Sequence, residues 1–167
     1  MLQRFTRSLR FPEPMTRHVL CAARELAVGE HRVFDVDGRS IGVYNVAGEF
    51  LAIRNRCPHQ GGPLCEGVQV GALTSDEPGT YSYDRPGEVV RCPWHAWEFD
   101  LRTGTSWFDP EHQRVKSYEV QVLTGDDVAG LVPPRPGMLP GPYQAEIVPV
   151  AVEDAYLVID VGHIPKG

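Results

Sequence analysis

The sequence has no apolar run long enough to cross a bilayer and no excess of basic residues. Its 167 residues include 16 Lys and Arg against 22 Asp and Glu, which gives a formal net charge of −6. Because nucleic-acid binders present a basic face, this balance argues against that class of function. The hydrophobic residues, 42% of the chain, suffice for one core, so we expect a single domain without a membrane span.

The N-terminal segment 1–18 lacks the apolar stretch of a secretory signal. Its arginines predict a short basic arm, and we expect the protein to be cytoplasmic. Cysteine is scarce as well, with four residues: Cys21, Cys57, Cys65 and Cys92. In a reducing compartment such cysteines more often bind a metal or remain thiols than form disulfides.

Short apolar segments separated by turn residues predict an all-β domain. The Asp37-Gly38 dipeptide favours a hairpin between 31–36 and 40–46, and a further strand over 50–55 completes a three-stranded meander. The segment 22–26 fits either a strand or a helical turn. Further strands are predicted at 89–92, 97–104, 115–123, 145–153 and 155–161, the last two as a hairpin.

Two segments rich in turn residues interrupt this pattern. Residues 68–88 are polar, and residues 124–143 include five prolines between positions 133 and 142. Because proline removes a backbone donor and fixes φ, we predict a long loop insertion for each segment. The folded domain is expected to span 19–161, followed by a C-terminal tail over 162–167.

Two Cys–His pairs are the most informative residues: Cys57 with His59, and Cys92 with His95. Between the two cysteines lie 34 residues. Two thiolates and two imidazoles fit a tetrahedral zinc site or a [2Fe–2S] cluster in which two His replace two Cys on one iron. The Gly- and Pro-rich loops favour the cluster, because they present the backbone N–H groups that inorganic sulfides need.

The segments CPHQGGPLCEG (57–67) and RCPWHAWEFDLRTG (91–104) resemble the two cluster-binding loops of Rieske [2Fe–2S] proteins. The resemblance implies a Rieske-like antiparallel β-sandwich with a small cluster-binding subdomain, interrupted by the two insertions. It also implies one [2Fe–2S] cluster per chain. The implied ligands are Cys57 and Cys92 on the buried iron, and His59 and His95 on the outer iron through Nδ1.

The resemblance is to the ferredoxin and oxygenase type of Rieske protein. Respiratory Rieske proteins have an additional cysteine in each loop, and these two cysteines form a disulfide. Trp94 occupies one of those positions here, so Cys65 is expected to remain a thiol. The hydroxyl residues that donate hydrogen bonds to the cluster are absent after His95, which implies a low reduction potential. Ala96 stands where relatives often have glycine.

A Rieske cluster moves single electrons and has no open coordination position for a substrate. The sequence lacks an Asp/Glu-x-x-His-x-x-x-x-His run for the second iron of a Rieske oxygenase, and it is too short for that domain. The resemblance therefore implies a ferredoxin or small iron–sulfur subunit without catalytic activity of its own. Its partners would be a reductase and a terminal oxidoreductase or oxygenase. The alternative is a partner-docking or redox-sensing module with a structural cluster.

Overall fold

The computed structural model describes residues 17–129, 131 and 154–161. The regular secondary structure of this part of the chain consists almost entirely of antiparallel strands. Single 3-10 turns lie at Ala23–Glu25 and Leu64–Glu66, and one short helix, α1, spans Gly125–Ala129. The strands are β1 (Arg17–Ala22), β2 (His31–Val36), β3 (Arg39–Val46), β4 (Glu49–Arg54), β5 (Val68–Glu77), β6 (Thr80–Arg91), β7 (Glu98–Asp100), β8 (Ser117–Tyr118), β9 (Val120–Thr124) and β10 (Ala155–Asp160).

The strands form three sheets, with the orders β2-β3-β4-β8, β1-β10-β9 and β5-β6-β7. The predicted meander is confirmed as β2, β3 and β4. Its first turn has positive φ at both central residues, 51° at Asp37 and 70° at Gly38. This is the geometry that joins two twisted strands most directly.

The meander sheet lies between two hydrophobic cores, and β3 contributes to both. Ile41 and Val43 point into one core, where they meet Leu157 and Ile159 of β10. Tyr44 points to the opposite face, because successive side chains of a strand alternate. The second core holds side chains from β6, β7 and the two Cys–His loops, including Leu64, Val90, Phe99 and Leu101. The β5-β6-β7 sheet with these loops is the small subdomain expected from the sequence.

The segment 68–88, predicted as a loop, is instead the long hairpin β5–β6, so that prediction was wrong. The turn lies at Pro78 and Gly79, and the distal part of the hairpin is exposed. Strands are recognised from sequence by alternation between a buried and an exposed face. Both faces of this distal part meet solvent. Tyr81 and Tyr83 alternate with polar residues, but both side chains are exposed, so this short alternation marks no buried face.

Other boundaries differ from the expectation by a few residues. The first strand begins at Arg17, two residues before the predicted start of the domain. The strand predicted over 115–123 is divided at Glu119 into β8 and β9. The strand predicted over 155–161 is confirmed as β10, which pairs with β1 and β9. Outside the described residues lie 1–16, 130, 132–153 and 162–167, and with them the predicted strand 145–153 and most of the second insertion.

Candidate metal centre

The two Cys–His loops have the same backbone geometry. In the first loop the N–H of Cys57 donates to the carbonyl of Gly62 at 2.8 Å, and its carbonyl accepts from the N–H of Gly61 at 2.8 Å. In the second loop Cys92 makes the equivalent bonds, with the carbonyl of Trp97 at 2.8 Å and the N–H of Ala96 at 3.0 Å. Each loop thus turns tightly around its cysteine.

The shared geometry requires a left-handed residue four positions after each cysteine. Gly61 has φ 79° and Ala96 has φ 59°. Glycine adopts this conformation without steric cost, whereas a residue with a Cβ is strained there. This explains why a glycine is expected at position 96, and it makes Ala96 a strained residue at the metal centre.

The two loops also contact each other through their side chains. The Trp94 indole of the second loop lies on Gly62 of the first, where a Cβ would be 2.8 Å from the ring. The His59 imidazole of the first loop stacks on the Trp97 indole of the second, with ring centroids 4.5 Å apart. Both contacts hold the loops face to face.

The two cysteines lie together at the base of the loops. Cys57 and Cys92 are each 2% exposed, and their thiols interact directly. Burial raises the pKa of Cys57, although the backbone N–H groups of His59 and Gln60 donate to its sulfur and oppose that rise. A buried sulfur pair with backbone donors aimed at it is suited to thiolate ligands of a metal.

The two histidines lie together nearer the surface. His59 is half-buried, His95 is exposed, and their ring centroids are 4.9 Å apart at an angle of 80°. The Nδ1 atom of His59 is buried and has no hydrogen-bond partner among the described residues. Because buried polar atoms are nearly always paired, this nitrogen is suited to a metal bond.

The arrangement distinguishes between the two metal states that the sequence leaves open. A tetrahedral zinc ion needs its ligands to converge on one point. Within 17–129, 131 and 154–161, no three His, Cys, Asp or Glu side chains converge in that way. The side chains form a cysteine pair and a histidine pair, which suits a cluster with two irons.

Cys65 lies in the first loop but takes no part in these pairs. Its side chain is completely buried, and its N–H donates to Oδ1 of Asn55 at 2.7 Å. Burial raises the pKa of the Cys65 thiol to about 11. All four cysteines are free thiols, which agrees with the expectation for Cys65.

The structure also brings together four cations that sequence reasoning missed. A groove of about 420 Å³ beside the first loop is lined by Arg54, Arg56, Arg114 and Lys116, with His59 at its rim. These residues come from the end of β4, the first loop and the segment before β8. Only the pairing of β4 with β8 unites them, and nothing in the sequence signals that pairing.

In the part of the chain that the structure describes, no helix is long and apolar enough to span a bilayer. The Rieske [2Fe-2S] domain family matches residues 16–119. The 3-phenylpropionate/cinnamic acid dioxygenase ferredoxin subunit of Escherichia coli (strain K12) is 31% identical over 112 residues, covering 67% of this chain and 91% of that protein. The biphenyl dioxygenase ferredoxin subunit of Pseudomonas sp. (strain KKS102) is 31% identical over 114 residues, covering 68% and 90%.

Two solved ferredoxins also have a similar chain. Sphingomonas yanoikuyae B1 ferredoxin is 26% identical, covers 66% of this chain and 93% of its own, and superposes with a TM-score of 0.49. The ferredoxin of carbazole 1,9a-dioxygenase from Nocardioides aromaticivorans IC177 is 28% identical with a TM-score of 0.49, covering 65% and 90%. The family match and the curated relatives agree with the paired thiols and imidazoles, so this chain belongs to the Rieske [2Fe–2S] domain family and binds one [2Fe–2S] cluster.

Proposed function

We propose that this chain is the ferredoxin of an oxygenase system and holds its cluster between the two matched loops. The observation on which the proposal rests is the pairing of two buried thiols below two imidazoles that reach the surface. The proposed cluster ligands are Cys57, Cys92, His59 and His95. When bound, the cluster accepts and releases one electron at a time.

The surroundings suit each proposed ligand to its position. Cys57 and Cys92 are closed off from water by the core that also contains Leu64 and Phe99. His59 is oriented by the stack on Trp97, and its unpartnered Nδ1 is available to the outer iron. His95 is exposed, so an electron reaches a docked partner through this edge without crossing a thick layer of protein.

The proposed partners are inferred from the names of the relatives. They are named as ferredoxin subunits of dioxygenases, so we take a reductase as the electron donor and a terminal oxygenase as the acceptor. A cytoplasmic location is part of the proposal. It is supported by Cys21 and Cys65, which lie outside the proposed ligand set and are free thiols, because reducing compartments keep cysteines in that state.

Chemical analysis of the purified protein tests the ligand set. We expect two irons and two acid-labile sulfides per chain, and Cys57→Ser or Cys92→Ser should lose the visible spectrum. Cys21→Ser is the matched control, because Cys21 lies in β1 outside the loops. One zinc per chain without sulfide would overturn the proposal.

Reduction by dithionite distinguishes an electron carrier from the alternative, a partner-docking or redox-sensing module with a structural cluster. A carrier is reduced by one electron and reoxidised rapidly by an added acceptor. A cluster that resists reduction would favour the docking or sensing module instead.

A further inference from the structure

The groove beside the first loop, here called the basic groove, has an unusual charge. Its cations are Arg54, Arg56, Arg114 and Lys116, and no acidic side chain lines it. Arg54 is half-buried, while the other three are exposed. The whole chain has a formal net charge of −6, so the charge of the basic groove is opposite in sign to the net charge of the chain.

The cations of the basic groove have no carboxylate partner among residues 17–129, 131 and 154–161. Elsewhere in the same part of the chain, ion pairs with Asp or Glu neutralise most arginines. These paired arginines are Arg24, Arg32, Arg85, Arg91 and Arg102. The unneutralised positive charge is thus concentrated in one place.

The groove cations contact neutral groups instead. Nη2 of Arg114 donates to Oγ1 of Thr105 at 3.3 Å, and Nζ of Lys116 lies 5.1 Å from the centre of the Tyr118 ring. The Arg56 guanidinium lies beside Gly61 in the first loop. These contacts position the side chains and leave their charges uncompensated.

The basic groove is continuous with the edge through which the electron is proposed to leave. His59 and Gln60 line the groove together with the cations. A partner that docks at this edge therefore brings its own surface over the groove. Opposite charges at such a place accelerate association and select the orientation of docking.

We propose that the basic groove docks a carboxylate-rich surface of the redox partner protein and so orients that partner over His59. This inference rests on the proposed electron-transfer function. A protein is favoured over nucleic acid or an anionic membrane because the chain as a whole, with its net charge of −6, repels extended polyanions. A discrete acidic patch fits a groove of this size.

Stopped-flow electron transfer tests the proposal with two haem proteins as probes. The protein is reduced by one electron with dithionite and mixed with excess oxidised acceptor, and that electron converts Fe(III) haem to Fe(II). One acceptor has carboxylates around its haem edge, and the other has lysines. We expect the rate constant with the acidic acceptor to fall as salt is raised from about 10 to 300 mM, because screening weakens the attraction. If only the net charge of −6 acted, the chain would repel the acidic acceptor, and the rate constant would rise with salt.

Two double variants test whether the groove cations or the net charge of the chain control the rate of electron transfer. Arg114→Gln/Lys116→Gln removes two groove cations, and Arg24→Gln/Arg32→Gln removes two cations elsewhere. Both variants lower the net charge by the same amount. With the acidic acceptor at about 100 mM salt, we expect the groove variant to react about fivefold more slowly. The control should stay close to the wild type, and both should keep the wild-type visible spectrum.

Four outcomes would overturn the proposal, and each is recognisable. Equal slowing of both variants would show that only net charge acts. If the wild type reduced the acceptor with lysines around its haem faster than the acidic acceptor, the docking surface of this chain would be acidic. Binding of the wild type to phosphatidylserine vesicles, lost in the groove variant, would assign the groove to a membrane. An intact cluster that reduces neither acceptor would overturn the proposed function itself, and the docking inference with it.

Discussion

His59 of the first loop and Trp97 of the second form a parallel stack, with ring centroids 4.5 Å apart and planes 13° apart. The Phe108 ring is also close to Trp97, with ring centroids 5.7 Å apart. The stack therefore joins a proposed ligand of the outer iron to the opposite loop. It fixes the plane of the imidazole before any metal binds.

Trp97→Ala should shorten the lifetime of the cluster. The stack contributes about 1 kcal/mol beyond its buried area, so we expect loss of visible absorbance in air to accelerate about fivefold. Trp97→Phe retains a ring and should retain most of the lifetime. Trp107→Ala is the control, because that indole is 51% exposed and outside the stack. A Trp97→Ala protein as durable as the wild type would show that the stack does not hold the loop.

Ala96→Gly should stabilise the protein. Ala96 has φ 59°, which is strained for any residue with a Cβ. Relief of that strain is worth about 1 kcal/mol, or about 2–4 °C in melting temperature for a chain of this size. Ala22→Gly is the matched control, because Ala22 has φ −67°, and glycine there should lower the melting temperature. A drop in both variants would mean that the second loop is not strained.

The candidate metal centre could be proposed from the sequence because its chemistry is local. Each Cys–His pair lies within four residues, so its spacing is visible without knowledge of the fold. The geometric equivalence of the loops was less accessible, because Gly61 and Ala96 differ as residues. Their equivalent hydrogen bonds to the cysteine carbonyls and their shared positive φ show that they occupy equivalent positions.

The features that sequence reasoning missed depend on contacts between distant segments. The basic groove arises where Arg54 and Lys116 meet across the β4–β8 pair, and the two are far apart in sequence. The β5–β6 hairpin was missed for a different reason. Its distal strands have solvent on both faces, so no buried apolar face marks them, and the alternation of Tyr81 and Tyr83 with polar residues is short.

Shortening the β5–β6 hairpin should leave the cluster intact. Residues 75–81 are all exposed, and Thr74 pairs with Ser82 at their base. Replacing 75–81 by Asn-Gly closes the hairpin with a favoured two-residue turn. We expect an unchanged visible spectrum and a melting temperature within about 2 °C of the wild type, because little apolar area is removed. Loss of the spectrum would show that the hairpin tip protects the cluster.

Asp100→Asn should destabilise the protein at neutral pH. Asp100 is 5% exposed and ends β7, directly after the second loop. Burial by itself raises the pKa of the Asp100 carboxyl, but the N–H of Thr103 and the Arg85 guanidinium outweigh it, so the net pKa is lowered. Loss of this charge should cost about 2 kcal/mol, discounted because Arg85 is partly exposed.

The pH dependence gives the sign of the Asp100 effect. A folded-state pKa below the unfolded value of about 3.9 means that the ionised carboxylate stabilises the fold above that pH. This contribution is lost as the pH falls through the folded-state value. Thermal melts should therefore show a large gap between wild type and Asp100→Asn at pH 7 that narrows below about pH 4. Asp84→Asn, at an exposed position, should show little effect at either pH.

Cys65 should make the protein sensitive to alkali. Burial raises the pKa of its thiol to about 11 in the folded state, whereas an unfolded cysteine titrates near 8.5. Between these values the folded chain keeps a proton that the unfolded chain has released. Stability must then fall as pH rises, by about 1.4 kcal/mol for each pH unit in that window. Cys65→Ser and Cys65→Ala cannot titrate there, so their melting temperatures should decline less than the wild type's between pH 8 and pH 10. An equal decline in all three proteins would show that the buried thiol does not cause the loss of stability at alkaline pH.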